Sequence, residues 1–140
     1  MHLEICKLHP NAATPTYGTA GAACFDLYAA ETTTIPPRGR AAVTTGLAVA
    51  LEPGYGIEIH GRSGLAFRHG IIAFGGQVDS DFRGPVQVLL INTSDQEYTI
   101  EQGDRVAQGR VVYSPRVTFI ECEQLTLTER GQAGYGSTGH

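Results

Sequence analysis

Cysteine, charge and long apolar runs are all scarce in this chain, and each scarcity removes a class of protein. Its three cysteines, Cys6, Cys24 and Cys122, are an odd number without CxxC spacing. They suggest neither a disulfide framework nor a zinc site, so a reducing, cytoplasmic setting is expected. Nowhere do the roughly 18 apolar residues of a membrane-spanning helix run together. The opening Met1-His2-Leu3-Glu4 leads into a strand-like segment, not into a basic region followed by an apolar one. Secretion and membrane insertion are therefore not expected. Charged residues make up 17% of the chain, with a formal net charge of −4. That balance argues against an electrostatic grip on duplex DNA or RNA, which needs a basic face to neutralise phosphates. An anionic ligand would have to be small, met by a few placed cations and backbone N–H groups.

What the chain has in excess is glycine, 18 of 140 residues, about twice ordinary usage, which implies many tight turns. The length suits a single domain with one core. Short runs with strand character recur at Leu3–Leu8, Thr32–Ile35, Arg40–Thr45, Leu47–Leu51, Tyr55–His60, Val86–Asn92, Glu97–Ile100, Arg105–Tyr113 and Val117–Glu121. Between them lie turn signals such as Pro36-Pro37, Pro53-Gly54, Gly75-Gly76 and Arg83-Gly84-Pro85. Only Ser63–His69 has helical character. The pattern predicts an all-β, jelly-roll-like barrel or sandwich with one short helix. Residues 1–127 would form this body. Residues 128–140, TERGQAGYGSTGH, would form a Gly-rich tail of the same domain, too poor in apolar surface to order itself unaided.

Five glycine-containing segments carry the chemistry: Ala20–Ala30, Gly61–Ile71, Gly75–Asn92, Gly103–Val112 and Arg130–Gly139. Asp26 is flanked by apolar residues, so its carboxylate is either paired in the core or directed at a cation. Arg62-Ser63-Gly64 precedes the helical turn, where a hydroxyl and free backbone N–H groups suit an anion. Asp79 and Asp81, two residues apart in Val78-Asp79-Ser80-Asp81, would share one face of a strand. Gln108 offers a neutral amide donor on a strand, and Arg105 is placed to pair with an acidic neighbour. The five histidines are scattered and are assigned no chemistry.

In order and spacing these segments resemble the five motifs of the trimeric deoxyuridine triphosphatases, and together they span Ala20 to Gly139. The resemblance implies hydrolysis of dUTP to dUMP and pyrophosphate by water attack on the α-phosphorus. It makes Asp79 the general base, with Asp81 fixing the turn through local hydrogen bonds. Arg62, Ser63, Gly64 and Gln108 would bind phosphate, and the backbone at Gly76 and Val78 would read uracil. Asp26 would reach a Mg2+ ion through water, the phosphates holding the metal otherwise. From the tail, Arg130 would clamp the γ-phosphate, Tyr135 stack on the base, and Gly136, Ser137 and Thr138 meet phosphate oxygens. Three departures from the family's usual pattern stand out: Gly61 where proline often precedes the arginine, Tyr135 for phenylalanine, and Phe82 for the tyrosine that packs on the sugar. Phe82 keeps the ring that excludes a 2′-hydroxyl and loses the phenol's hydrogen bond. The family also implies a homotrimer in which each active site draws on three chains.

Two other readings compete. A dCTP deaminase, related in fold, would need a catalytic glutamate at the base and a further serine and arginine around its RSS-type motif, whereas this chain reads Arg62-Ser63-Gly64. A nucleotide sensor without turnover would have lost at least one of Asp79, Ser63, Gln108 and Arg130, and all four are present.

Overall fold

A computed structural model describes residues 1–133. It contains twelve strands: β1 Glu4–Lys7, β2 Thr16–Tyr17, β3 Phe25–Tyr28, β4 Thr33–Ile35, β5 Arg40–Thr44, β6 Leu47–Ala50, β7 Tyr55–His60, β8 Ile71–Ala73, β9 Gly76–Asp79, β10 Gln87–Asn92, β11 Tyr98–Ile100 and β12 Arg105–Tyr113. The single described helix, α1, spans Ser63–His69, as the sequence predicts. The strands pair antiparallel in four sheets, β1-β6, β5-β10-β8, β4-β11 and the five-stranded β2-β3-β12-β7-β9, none of which closes into a barrel. The architecture is all-β and jelly-roll-like.

Alternation drives this packing. In β10 the side chains of Val88, Leu90 and Asn92 turn inward while Gln87, Leu89 and Ile91 are more open, the period of two that a half-buried strand requires. The inward faces meet in one core that includes Phe25, Leu27, Ile35, Val43, Ile57, Ile59, Ile71, Val78, Leu90, Ile100 and Val106. Gln108 and Arg110 turn to the opposite face of β12 from Gly109, and the missing side chain of Gly109 is what lets Phe25 lie flat in the core. A Cβ there would collide with the Phe25 ring. Gly109→Ala is expected to cost about 1–3 kcal/mol through overpacking, readable as a lowered denaturation midpoint with an unchanged slope.

Two expectations are corrected. Val117–Glu121 is not a strand; Val117, Phe119 and Ile120 are largely exposed, and apolar residues without a neighbouring strand leave the backbone ladder unmade. Asp81 lies in the turn after β9, not on it, so it does not share a strand face with Asp79. Ser63 is the first residue of α1, and Arg62 holds the cap position in an extended conformation, without a side-chain cap bond.

Candidate active site

The site begins with a carboxylate buried on the wrong side of a strand. Phe25 and Leu27 point from β3 into the core, so Asp26 between them faces outward; yet Asp26 is only 4% exposed. Two arginines cover it, one from the β7–α1 junction and one from the start of β12. Arg62 Nε lies 3.5 Å from Asp26 Oδ1 and Arg105 Nη1 lies 3.4 Å from Oδ2. Gln108, directly opposite Asp26 in the β3–β12 ladder, donates from Nε2 to Oδ1 at 3.3 Å. A buried carboxylate persists only when paired and hydrogen-bonded; the two arginines pair with it, and Arg105 and Gln108 donate the hydrogen bonds. Of the two alternatives the sequence leaves open for Asp26, pairing is what the single chain displays, and Arg105 has its acidic neighbour.

These contacts are long, near the upper limit for hydrogen bonds, and the donors are not all used. Arg62 Nη1 donates to the Arg105 carbonyl at 3.3 Å, while Arg62 Nε, fully buried, completes no hydrogen bond with the described residues. Gln108 has a second amide hydrogen. The first turn of α1 adds to this surplus, because Leu65 and Ala66 N–H both bond the Arg62 carbonyl, whereas Ser63 and Gly64 stand exposed at the helix start, where N–H groups lack intrahelical partners. An arriving phosphate would meet cations and unused N–H groups at one place.

Asp79 ends β9, exposed, its backbone paired with Gly56 of β7. Behind it the chain turns back tightly: Phe82 N–H bonds the Asp79 carbonyl at 3.2 Å. Arg83, a residue the sequence reading passes over, donates from Nη1 to the carbonyls of Ser80 and Phe82 at 2.7 and 2.9 Å. The Phe82 ring, 44% exposed, folds over Gly84, where a Cβ would stand 2.6 Å from its Cζ. Val78 is buried in the core cluster, while Gly76 at the start of the same strand is exposed.

Both halves lie on one face of the five-stranded sheet. Asp26 sits opposite Gln108, Gln108 opposite His60, and Asp79 opposite Gly56, so the two carboxylates project from the same side. They are not adjacent. Four residues along β7 and three strand spacings separate them, roughly 19 Å between backbones from strand rise and strand spacing. A general base must come within hydrogen-bond reach of the water it activates, so the Asp26 end and the Asp79 end of one chain cannot serve the same phosphate. Arg130 is exposed, and its Nε bonds the Ala133 carbonyl at 3.1 Å within its own turn. Tyr135, Gly136, Ser137 and Thr138 lie outside the described residues.

Among the described residues no three His, Cys, Asp or Glu side chains group to hold a metal. Both oxygens of Asp26 already face guanidinium or amide donors, a setting that suits contact with a hydrated cation through water and not a direct bond. Magnesium commonly keeps several waters and takes substrate phosphates as ligands, and this arrangement fits that habit.

An antiparallel β scaffold thus gathers two arginines and an amide around the buried Asp26 carboxylate beside the start of α1, with Asp79 exposed on the same face of the sheet. Comparison with known proteins identifies the family. Residues 10–139 match the family model described as dUTPase, and the chain belongs to that family. It is 51% identical over 141 aligned positions to a deoxyuridine 5'-triphosphate nucleotidohydrolase of Wolinella succinogenes, covering 99% of this chain and 95% of that one. A Helicobacter pylori protein of the same name is 45% identical, with 99% and 97% covered. Among solved structures, a variant of the Staphylococcus bacteriophage 80alpha dUTPase with dUpNHpp superposes with a TM-score of 0.94 at 25% identity, covering 99% of both chains. A variant dUTPase of phage phi11, described with a structural Mg(II) ion, matches in fold with a TM-score of 0.84 at 21% identity, covering 89% of this chain and 98% of that one.

Proposed function

We propose that the protein is a dUTP diphosphatase, hydrolysing dUTP to dUMP and pyrophosphate and so lowering dUTP while supplying the dTTP precursor. Family membership carries the reaction. The observation in the molecule that supports it is the convergence of Arg62, Arg105 and Gln108, from two separate segments, on the buried Asp26 carboxylate of a third, beside the start of α1.

In this reading Asp79 takes a proton from the water that attacks the α-phosphorus. Ser63, the Gly64 N–H and the second Gln108 amide hydrogen donate to phosphate oxygens, where negative charge grows as pyrophosphate leaves. Asp26 orients Arg62 and Arg105, and would hold Mg2+ through a water. When bound, the ion would neutralise phosphate charge and help align the triphosphate. Gly76 and Val78 present backbone to uracil, and the Phe82 ring occupies the side of the sugar where a 2′-hydroxyl would stand. Residues 128–140 would close over the nucleotide, with Arg130 on the γ-phosphate, Tyr135 on the base, and Gly136, Ser137 and Thr138 on phosphate oxygens. The distance between Asp26 and Asp79 supports sites shared between chains, as in a homotrimer. A reducing, cytoplasmic setting completes the proposal.

Pyrophosphate release from dUTP with magnesium, beside UTP, dTTP and dCTP, tests it. Selective dUTP turnover is expected. Ammonia release from dCTP, or binding of dUTP without cleavage, would overturn it, and comparable cleavage of UTP would trace to Phe82. Among the described residues, 128–133 contribute no side chain to the core cluster, and residues 128–140 are the Gly-rich tail. A chain that ends at Leu127 is therefore expected to keep its unfolding midpoint and lose most of its turnover, since closure completes such sites.

A further inference from the structure

The loop that carries the Phe82 ring is pinned at both ends and lightly tied between them. At its start, Asp79 pairs with Gly56 in the β7–β9 ladder. At its end, Val86 N–H donates to the Leu47 carbonyl at 2.7 Å, and the Val86 carbonyl accepts from Thr45 Oγ1 at 2.7 Å. Pro85, just before it, has a fixed φ and no N–H to offer. Among the described residues, 80–85 make one backbone–backbone bond, from Phe82 N–H to the Asp79 carbonyl. Arg83 supplies the other ties. The two hydrogens of its Nη1 reach the Ser80 and Phe82 carbonyls at 2.7 and 2.9 Å, one on each side of Asp81. The ring itself has no polar handle, since a phenylalanine lacks the hydroxyl by which a tyrosine finds a partner. Its place is set by the backbone that carries it and by what it packs against. A Cβ on Gly84 would stand 2.6 Å from Phe82 Cζ and 2.9 Å from Cε2, so the bare glycine is what admits the ring.

We propose that Arg83 and Gly84 are positioning residues for Phe82, and that through the ring they set how strongly the protein rejects nucleotides with a 2′-hydroxyl. The inference rests on the reading of Phe82 as the ring on that side of the sugar. Arg83 fixes the Phe82 carbonyl and with it the direction in which the side chain leaves the backbone. Gly84 fixes where the far edge of the ring comes to rest. Neither needs to touch the nucleotide. A hydroxyl is a small intruder, and displacements of about 1 Å change rates by about 10²-fold, so a ring freed to move that far no longer excludes it.

Steady-state kcat/KM of the full chain for dUTP and for UTP, with magnesium, tests this. R83M keeps the aliphatic stem and removes the donors. G84A leaves Arg83 in place and displaces the ring: the Gly84 backbone is not left-handed, and the atoms nearest an added Cβ all belong to Phe82. Each variant is expected to lower the dUTP-to-UTP ratio by about tenfold or more. R83K, which keeps N–H donors on a flexible stem, is expected to recover most of the ratio. F82A lowers the ratio by itself, and F82A/R83M should lower it no further, because residues that act through one another are not additive. Were Arg83 merely structural, R83M would slow both substrates alike or lower the unfolding midpoint, with the ratio unchanged. That result, an unchanged ratio in G84A, or a further fall in F82A/R83M would overturn the proposal. Should R83M fail to fold, G84A carries the test alone. An unchanged ratio in F82A would overturn the reading of Phe82 itself, and the proposal with it.

Discussion

Asp79→Asn is expected to lower kcat for dUTP by about 10²–10⁴-fold, the usual contribution of a positioned general base, while nucleotide binding persists. The asparagine has the same shape and cannot accept the proton. Among the described residues Asp79 is exposed and its structural ties run through the backbone, to Gly56 in the β7–β9 ladder and to Phe82 N–H in the turn, not through the carboxylate. The unfolding midpoint should therefore stay where it is. Titration with a non-hydrolysable dUTP analogue, beside pyrophosphate release, separates the two effects. Binding retained with turnover lost fits the assignment. Unchanged turnover would remove Asp79 as the base, and lost binding would make it a ligand contact.

Legibility in the sequence followed the physics of each element. Strands β7 and β12 are bounded as expected because glycine or proline stands close to both ends of each, and α1 is bounded as expected because Gly70 ends it. Strand β3 is only four residues long, too short for the alternation of Phe25-Asp26-Leu27-Tyr28 to stand out, and that its outward residue Asp26 is buried beneath Arg62 and Arg105 is visible only in the fold. Val117–Glu121 shows the opposite failure, since apolar alternation says what a segment could bury and not whether a partner strand lies beside it.

The candidate site was legible as an ordered set of motifs and illegible as a geometry. Arg62 stands 36 positions from Asp26 and Gln108 stands 82 away; no local periodicity reveals that they meet. The role of Arg83 leaves no pattern either, because it bonds carbonyls, which every residue has. Nor did the sequence show that Asp26 and Asp79 project from the same side of one sheet, with roughly 19 Å between their backbones. That fact comes from register, and register depends on which strands pair.

The second large effect is expected at Asp26, where stability and catalysis respond together and must be told apart. Asp26→Asn leaves Arg62 and Arg105 without their shared anion and turns a donor toward donors. The loss should be about 1–3 kcal/mol, as for hydrogen bonds to charged groups, and toward the low end because both arginines reach solvent, which screens them. Turnover should fall further than this destabilisation explains. Partners that orient ligands commonly change metal affinity or activity by about 10–100-fold, and here the same carboxylate aligns two phosphate-facing cations. Measured well below the unfolding transition, the magnesium concentration for half-maximal turnover separates the roles. A rise in that concentration, beside reduced kcat, is what a water-mediated contact to the metal requires. A variant that is less stable and slower, yet needs no more magnesium, would leave Asp26 as the anchor of Arg62 and Arg105 alone and would move the metal wholly onto the substrate's phosphates.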